Sequence, residues 1–369
     1  MAEEKLKKRD FYKLDRMLAT ESTYCILLGE RSNGKSFSVK KHAVDEALDA
    51  EALTCVLLRR LDEDIKASVI EDYFNDEALI KHIIKRTNGR YNCIVYYRSK
   101  FYFAFYDKET EKIEKGFAFC KAFALSNAER YKSSTVLPNV KTMIYEEFCT
   151  TRRYLRDETK LLFNIVSSIF RLNTGRVFLI ANKITRVSPY FTDFGLRGVP
   201  KMKDGQLDTY VYKTEAGQDV KISVEMCASP QHEKSAMFWG KNDKVINGNE
   251  WETNEHPLLK GTLNDYDILY ELSLEHMGNC FNILLLSHKT EDFECVYVYP
   301  ASLKKHERLL TESYSTDRMI TPTLLSRVKA ECYIVELLNQ NKLVYPSNLI
   351  GDDFISTIQN MKQSPFSLA

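Results

Sequence analysis

The sequence predicts an α/β fold with a mostly parallel sheet for the front half of the chain, and three observations predict it. A glycine-rich loop, residues 29–36, joins a short apolar run to a stretch with helical apolar spacing. Further apolar runs at 54–58, 141–145 and 176–181 alternate with helical patterns, the order of a parallel sheet covered by helices. After about residue 228 the texture changes, which sets a second domain apart.

Each element has its own local reason. Residues 24–28 (Tyr-Cys-Ile-Leu-Leu) read as a buried strand, and 37–50 as an amphipathic helix with Lys40, Lys41 and His42 outward. The run 54–58 is a second strand ending in Arg59-Arg60. Residues 61–90 read as charged helix. From 91 to 119 aromatic and polar residues alternate around turns, a β-rich excursion of hairpins. Residues 141–145 and 176–181 are the third and fourth core strands, with an amphipathic helix over 157–172 between them. Domain 1–228 is followed by a polar, glycine- and asparagine-containing linker subdomain, 229–258, and by a domain over 259–369. That last domain opens as an antiparallel meander with strands at 267–275, 280–286 and 293–299 and closes with helices near 323–340 and 351–361.

Composition narrows the class. At 369 residues the chain is too long for one ordinary core. Its 44% apolar and 28% charged content fit a soluble globular protein, and no apolar run approaches the ~18 residues of a membrane span. No signal-peptide pattern stands at the front. The nine cysteines are scattered with no Cys-x-x-Cys pair, which argues for free thiols in a reducing cytosol and against a zinc site. The net charge of +1 hides an asymmetry: residues 1–195 carry 34 Lys and Arg against 27 Asp and Glu, whereas 196–369 carry 18 against 24. A basic front half suits a polyanionic partner, and equally an ordinary solvated surface with a basic N-terminal arm.

The loop Gly29-Glu30-Arg31-Ser32-Asn33-Gly34-Lys35-Ser36 fits G-x-x-x-x-G-K-S in full. Gly29 and Gly34 are expected to free the backbone so that amide N–H groups face a phosphate. Lys35 reaches the β- and γ-phosphates of ATP and Ser36 offers a hydroxyl to Mg2+. The run 141–145 ends in Glu146-Glu147, as a Walker B strand does. Glu146 stands where Asp is usual and is expected in the Mg2+ shell; Glu147 is expected to orient or deprotonate the attacking water. A glutamate beside Walker B, with an extra strand between the two motifs, points to the additional-strand (ASCE) ring-forming or strand-translocating ATPases. Asn182, directly after the fourth strand, could contact the γ-phosphate or simply be a strand-end turn residue. Arg171 could be a finger offered to a neighbouring subunit's nucleotide, or a cation favoured by the helix end. By position alone Arg152, Arg153, Arg156 and Arg176 compete with it.

The runs 26–36, 57–60, 137–148 and 180–183, with Ser188-Pro189-Tyr190-Phe191, occur in one order. Together they resemble the DNA-packaging (encapsidation) ATPase of phi29-like podoviruses over about the first 200 residues. The resemblance implies a homomeric ring, pentameric in that family, acting in the host cytoplasm and transiently at the portal vertex of a prohead. ATP hydrolysis there drives double-stranded DNA into the capsid, with a packaging RNA joining ring and portal. Lys35 and Ser36 match the family's P-loop pair, Glu147 its catalytic glutamate, Asn182 its polar residue after the sensor strand and Arg171 its trans-acting arginine. Arg59 and Arg60 match a family pair, and Asp62 stands where the family has a further basic residue.

In that family and in larger terminases the back half resembles an RNase H-like nuclease. The carboxylates on offer are Asp267, Glu271 and Glu275 on one strand and Asp352 and Asp353 near the end, while 295–299 has none. The expectation is therefore a vestigial nuclease domain without nuclease activity. Lys304, Lys305, His306 and Arg308 could form a nucleic-acid patch or a solvated helix face. DNA phosphates would meet Lys100, Lys108, Lys112, Lys115, Lys121, Arg130 and Lys132. Two other readings stand beside the motor: a terminase large subunit with an active metal-dependent nuclease, and a nucleotide-dependent nucleic-acid-binding scaffold.

Overall fold

A computed structural model of the chain describes residues 11–131, 137–151, 153–171, 174–228, 251, 253–276, 278–301, 308–311 and 329–361. The chain divides into two compact units. One is Met1–Cys149 with Leu155–Lys183 and Gly198–Glu250; the other is Thr150–Tyr154 with Ile184–Arg197 and Trp251–Ala369. The division is thus not a single break at residue 228, because two short segments of the front half group with the back half. Most of the expected linker, 229–250 and 252, lies outside the described residues.

The first unit is built on a nine-stranded sheet. Its strands are β1 (Tyr24–Gly29), β2 (Cys55–Arg59), β3 (Cys93–Tyr97), β4 (Lys100–Asp107), β5 (Lys112–Ala124), β6 (Thr142–Glu146), β7 (Arg176–Asn182), β8 (Leu207–Lys213) and β9 (Asp219–Cys227). They lie in the order β3-β4-β5-β2-β6-β7-β1-β9-β8. The six from β5 to β9 in that order run parallel to one another; β3–β4, β4–β5 and β8–β9 are antiparallel. Every residue of β1 and β6 is buried, which is why both read as unbroken apolar runs. The main helices are α1 (Lys35–Ala50), α2 (Glu77–Arg86) and α3 (Glu158–Ile169). This is the P-loop NTPase fold with the additional strand, since β7 separates β1 from β6 and β2 lies beyond β6.

Two expectations change in detail. The hairpins of 91–119 form, but they extend the main sheet, with β5 running parallel beside β2. Their inward aromatics cover the core: Phe103 and Phe119 stack at 4.3 Å, and Phe74 meets Phe101 edge-on at 4.9 Å. The segment 61–90 is helical only over Glu77–Arg86, preceded by single turns at Asp62–Ile65 and Ala67–Ile70. Lys66 and Asp76 take extended backbone angles, ψ 144° and 130°, and these break the segment into short pieces. The β8–β9 hairpin closes the far edge; β8 is half exposed and polar, so it carries little pattern.

The second unit holds a five-stranded sheet ordered β13-β10-β11-β12-β14, from β10 (Tyr266–His276), β11 (Asn279–His288), β12 (Glu294–Pro300), β13 (Leu309–Thr311) and β14 (Leu343–Val344). The expected antiparallel meander is β10–β11–β12. β13 adds parallel to β10, and β14 adds parallel to β12. Helices α4 (Lys329–Asn339) and α5 (Asn348–Asn360) bury Ile334, Leu337 and Phe354 against Leu272, Leu274, Ile283 and Val296. The part of the expected helix at 323–328 lies outside the described residues.

Candidate active site

The phosphate loop links the end of β1 to the start of α1, and its two glycines are needed for different reasons. Gly34 adopts the left-handed conformation, φ +92°, and a Cβ there would also lie 2.8 Å from the Cβ of Phe11. Gly29 has no such angle. It is required for space, since a Cβ would lie 2.7 Å from Nδ2 of Asn33. The expectation that both glycines serve the backbone angle holds only for Gly34. Asn33 is buried and shapes the turn: its Oδ1 accepts from the amide of Lys35 at 3.2 Å and its Nδ2 donates to the carbonyl of Cys227 at 3.5 Å. The chain ahead of β1 straps onto the loop. The amide of Tyr12 donates to the carbonyl of Asn33 at 2.9 Å, its carbonyl accepts from Ser38 Oγ, and its hydroxyl donates to buried Glu225 at 2.7 Å.

Lys35 is buried at the centre. Its Nζ donates to the carbonyl of Glu30 at 2.6 Å and to Oδ1 of Asn182 at 2.8 Å, with the carbonyl of Gly29 at 3.5 Å. Burial pulls its ammonium down to about 8, against the opposing pull of Cys227, Glu146 and Glu30. Asn182 reaches Lys35 because β7 lies beside β1 with Asn182 opposite Gly29. Glu146, the last residue of β6, is buried. Tyr73 Oη donates to its Oε1 at 3.0 Å, and Ser36 is a second hydrogen-bond partner. Burial raises the Glu146 carboxyl, and the bonds to Ser36 and Tyr73 and the charges of Lys40 and Arg59 oppose the rise.

Glu147 follows with φ +57°, a conformation few non-glycine residues adopt. Its amide donates to the carbonyl of Ile180 at 2.8 Å, and its exposed carboxylate accepts from Arg59 Nη2 at 2.9 Å. A cavity of about 540 Å3 is lined by Arg31, Ser32, Asn33, Gly34, Lys35, Ser36, Glu146, Glu147 and Asn182, among others. Gly29 and Glu30 lie behind it and act through their carbonyls on Lys35. A buried lysine, a hydroxyl–carboxylate pair and a second carboxylate therefore converge on one cleft of nucleotide size.

Arg171 is exposed just beyond α3 and does not line this cleft. Among its rivals, Arg156 sits 3.7 Å from Asp157, and Arg152 lies outside the described residues. Lys40 is not outward as expected: it lines the cleft and donates to Asp76 and to the carbonyl of Tyr73 at 2.7 Å each. Tyr73 and Phe11 were not legible as site residues, since each arrives from a loop with no motif. Lys108, Lys112, Lys115 and Arg130 are exposed, and Lys115 lies 4.0 Å from the ring centre of Tyr97. Lys132, Lys304, Lys305 and His306 lie outside the described residues.

In the second unit Asp267 and Glu271 are exposed on β10, and Glu275 is half-buried. Asp352 accepts from His256 Nε2 at 2.9 Å and from Asn254, while Asp353 is paired with Arg186. Among the described residues no three Asp, Glu, His or Cys side chains are grouped to hold a metal ion.

Comparison with known proteins follows the same line. A family model described as Podovirus DNA encapsidation protein (Gp16) matches residues 6–249. The DNA packaging protein of Bacillus phage B103 is 26% identical over 274 residues, 73% of this chain and 73% of its own. That of Bacillus phage phi29 is 27% identical over 191 residues, 50% of each. Among solved structures, the bacteriophage Phi-29 viral genome packaging motor assembly aligns with a TM-score of 0.55 at 17% identity, covering 93% of this chain and 96% of its own. The Phi-28 gp11 DNA packaging motor aligns at 0.51 and 20%, covering 96% and 99%. At such identities the structural likeness is one of fold.

Proposed function

The chain belongs to the podovirus DNA encapsidation protein (Gp16) family, and from that premise we propose that it is the ATP-hydrolysing motor subunit of a genome-packaging machine. It would drive double-stranded DNA through a portal protein into a preformed prohead. It would act as a homomeric ring, pentameric as in the resembled family, with a packaging RNA as a further partner. Its place would be the host cytoplasm and, transiently, the portal vertex. Among the described residues no helix is long and apolar enough to cross a membrane. The observation that carries the reading is the convergence of Lys35, Ser36, Glu146, Glu147 and Asn182 on one cleft.

The residues divide the work by chemistry. The loop amides from Arg31 to Ser36 cradle the phosphates, and Lys35 holds the β- and γ-phosphate oxygens as a buried cation. Ser36 and Glu146 are adjacent oxygen donors, the kind Mg2+ takes, and Tyr73 fixes the longer glutamate arm where aspartate is usual. Bound there, the ion would neutralise charge on the β- and γ-phosphate oxygens. Glu147 orients the attacking water and accepts its proton; Asn182, already bonded to Lys35, lies where it can contact the γ-phosphate. Arg171, outside its own cleft and exposed, is available to a neighbouring subunit's nucleotide. The exposed basic residues of the β3–β5 region would meet DNA phosphates, and the RNase H-like domain would lack nuclease activity. Turnover by the full chain with prohead and DNA should vanish in Lys35→Ala, and Glu147→Gln should bind ATP without translocating. Packaging that survives Lys35→Ala would overturn the reading. Cleavage of a plasmid with Mn2+, abolished by Asp267→Asn, would restore the nuclease alternative.

A further inference from the structure

We propose that Arg60 and Glu158 form a positioning pair that holds the main chain of Glu147 in place; the inference rests on the reading of the cleft as an ATPase site. Glu147 combines a left-handed backbone with an exposed carboxylate that meets Arg59, and its amide is bonded to the carbonyl of Ile180. The turn is secured from outside. Arg60 Nη1 donates to the carbonyl of Glu147 at 3.1 Å and Nη2 to the carbonyl of Phe148 at 2.6 Å. The rest of the guanidinium grips Glu158: Nε lies 3.2 and 3.0 Å from its two oxygens and Nη2 lies 3.1 Å from Oε1.

Glu158 is itself fixed. Its side chain is 0% exposed, Tyr145 Oη donates to Oε1 at 2.8 Å, and the amide of Leu155 donates to Oε2 at 2.8 Å. The guanidinium also lies over the Tyr145 ring, 5.9 Å from its centre. A simple ion pair would use the carboxylate alone. Here one planar group spends its donors on a buried carboxylate and on two consecutive carbonyls, so the end of β2, the turn after β6 and the first turn of α3 are tied at one point. Arg59, the neighbouring residue, touches the Glu147 carboxylate instead. The two arginines thus divide one residue, side chain to Arg59 and backbone to Arg60.

A lysine keeps the charge for Glu158 but cannot span a carboxylate and two carbonyls in one plane. In the full-length chain, Arg60→Lys should lower kcat for ATP by roughly 10- to 100-fold while KM and the affinity for a fluorescent ATP analogue change by less than about three-fold. Glu158→Gln should act in the same direction and more weakly. Millimolar guanidinium should partly restore Arg60→Ala. The decisive comparison is a double-mutant cycle. In a Glu147→Gln background, Arg60→Lys should cost no further turnover, because both act through one group. A lowered unfolding midpoint with kcat unchanged in Arg60→Lys and Glu158→Gln, or losses that simply add in the cycle, would overturn the proposal. An inactive wild-type chain would instead overturn the ATPase reading on which it rests.

Discussion

Replacing Lys35 by Met should make the first unit more stable at neutral pH, and the size of the gain follows from where Lys35 sits. Its amine is buried, and burial pulls it from the ordinary 10.5 down to about 8. A folded-state value below the unfolded one means the unfolded chain binds the extra proton more tightly. Below pH 8 both states are protonated and the folded state carries the full penalty. Between pH 8 and 10.5 the unfolded state holds more protons, so stability rises with pH. The shift corresponds to about 3 kcal/mol, at roughly 1.4 kcal/mol per unit. Lys35→Met lacks the titrating group, so the difference in unfolding free energy between variant and wild type should shrink by about that amount from pH 7.5 to pH 10.5. Urea unfolding followed by tryptophan-independent far-UV signal at several pH values reads it, and reductive 13C-methylation with NMR titration reads the amine directly. An amine that titrates near 10.5, or a wild-type-to-variant difference that is flat with pH, would refute the reasoning.

Two further outcomes follow from single contacts. Tyr73→Phe removes a hydrogen bond to the Glu146 carboxylate, of a kind worth about 1.5–3 kcal/mol, and should raise the Mg2+ concentration needed for half-maximal ATPase several-fold; an unchanged Mg2+ titration would count against Glu146 as the metal-shell residue. Arg186→Met leaves the half-buried Asp353 carboxylate without its cation and should destabilise the second unit by roughly 1–3 kcal/mol; adding Asp353→Leu should recover most of that loss in thermal unfolding, and a double variant no better than the single would show that the pair is not the cause.

The sequence carried the site only where chemistry is written in consecutive residues. Gly29 to Ser36, Glu146-Glu147 and Asn182 are each local marks at strand ends, and the sheet brings them together because β7 lies between β1 and β6. Buried parallel strands are legible because both faces are apolar, whereas β8, half exposed, left no period to read. Tyr73 and Phe11 were invisible because each reaches the cleft from a loop whose path depends on the finished packing. Lys40 was misplaced for a related reason. Helical spacing assigns a face, but it does not say that the face borders a cleft where the lysine meets Asp76 and Tyr73. The two-way division of the chain was hardest to see: the segments at 150–154 and 184–197 carry no composition shift, and they join the second unit through long-range contacts alone.

The strap formed by Tyr12 has a mechanical consequence. Its amide, carbonyl and hydroxyl are fastened respectively to Asn33, to Ser38 at the start of α1, and to Glu225 on β9. A load applied to the chain ahead of Tyr12 would therefore reach the phosphate loop directly, sharing it with β9 through Glu225. A bead, surface tether or bulky fusion at that end would pull on the carbonyl of Asn33 and slacken the turn that presents Lys35. For single-molecule work on this protein the attachment point is part of the experiment, and a handle on the exposed β8 edge would leave the loop unloaded.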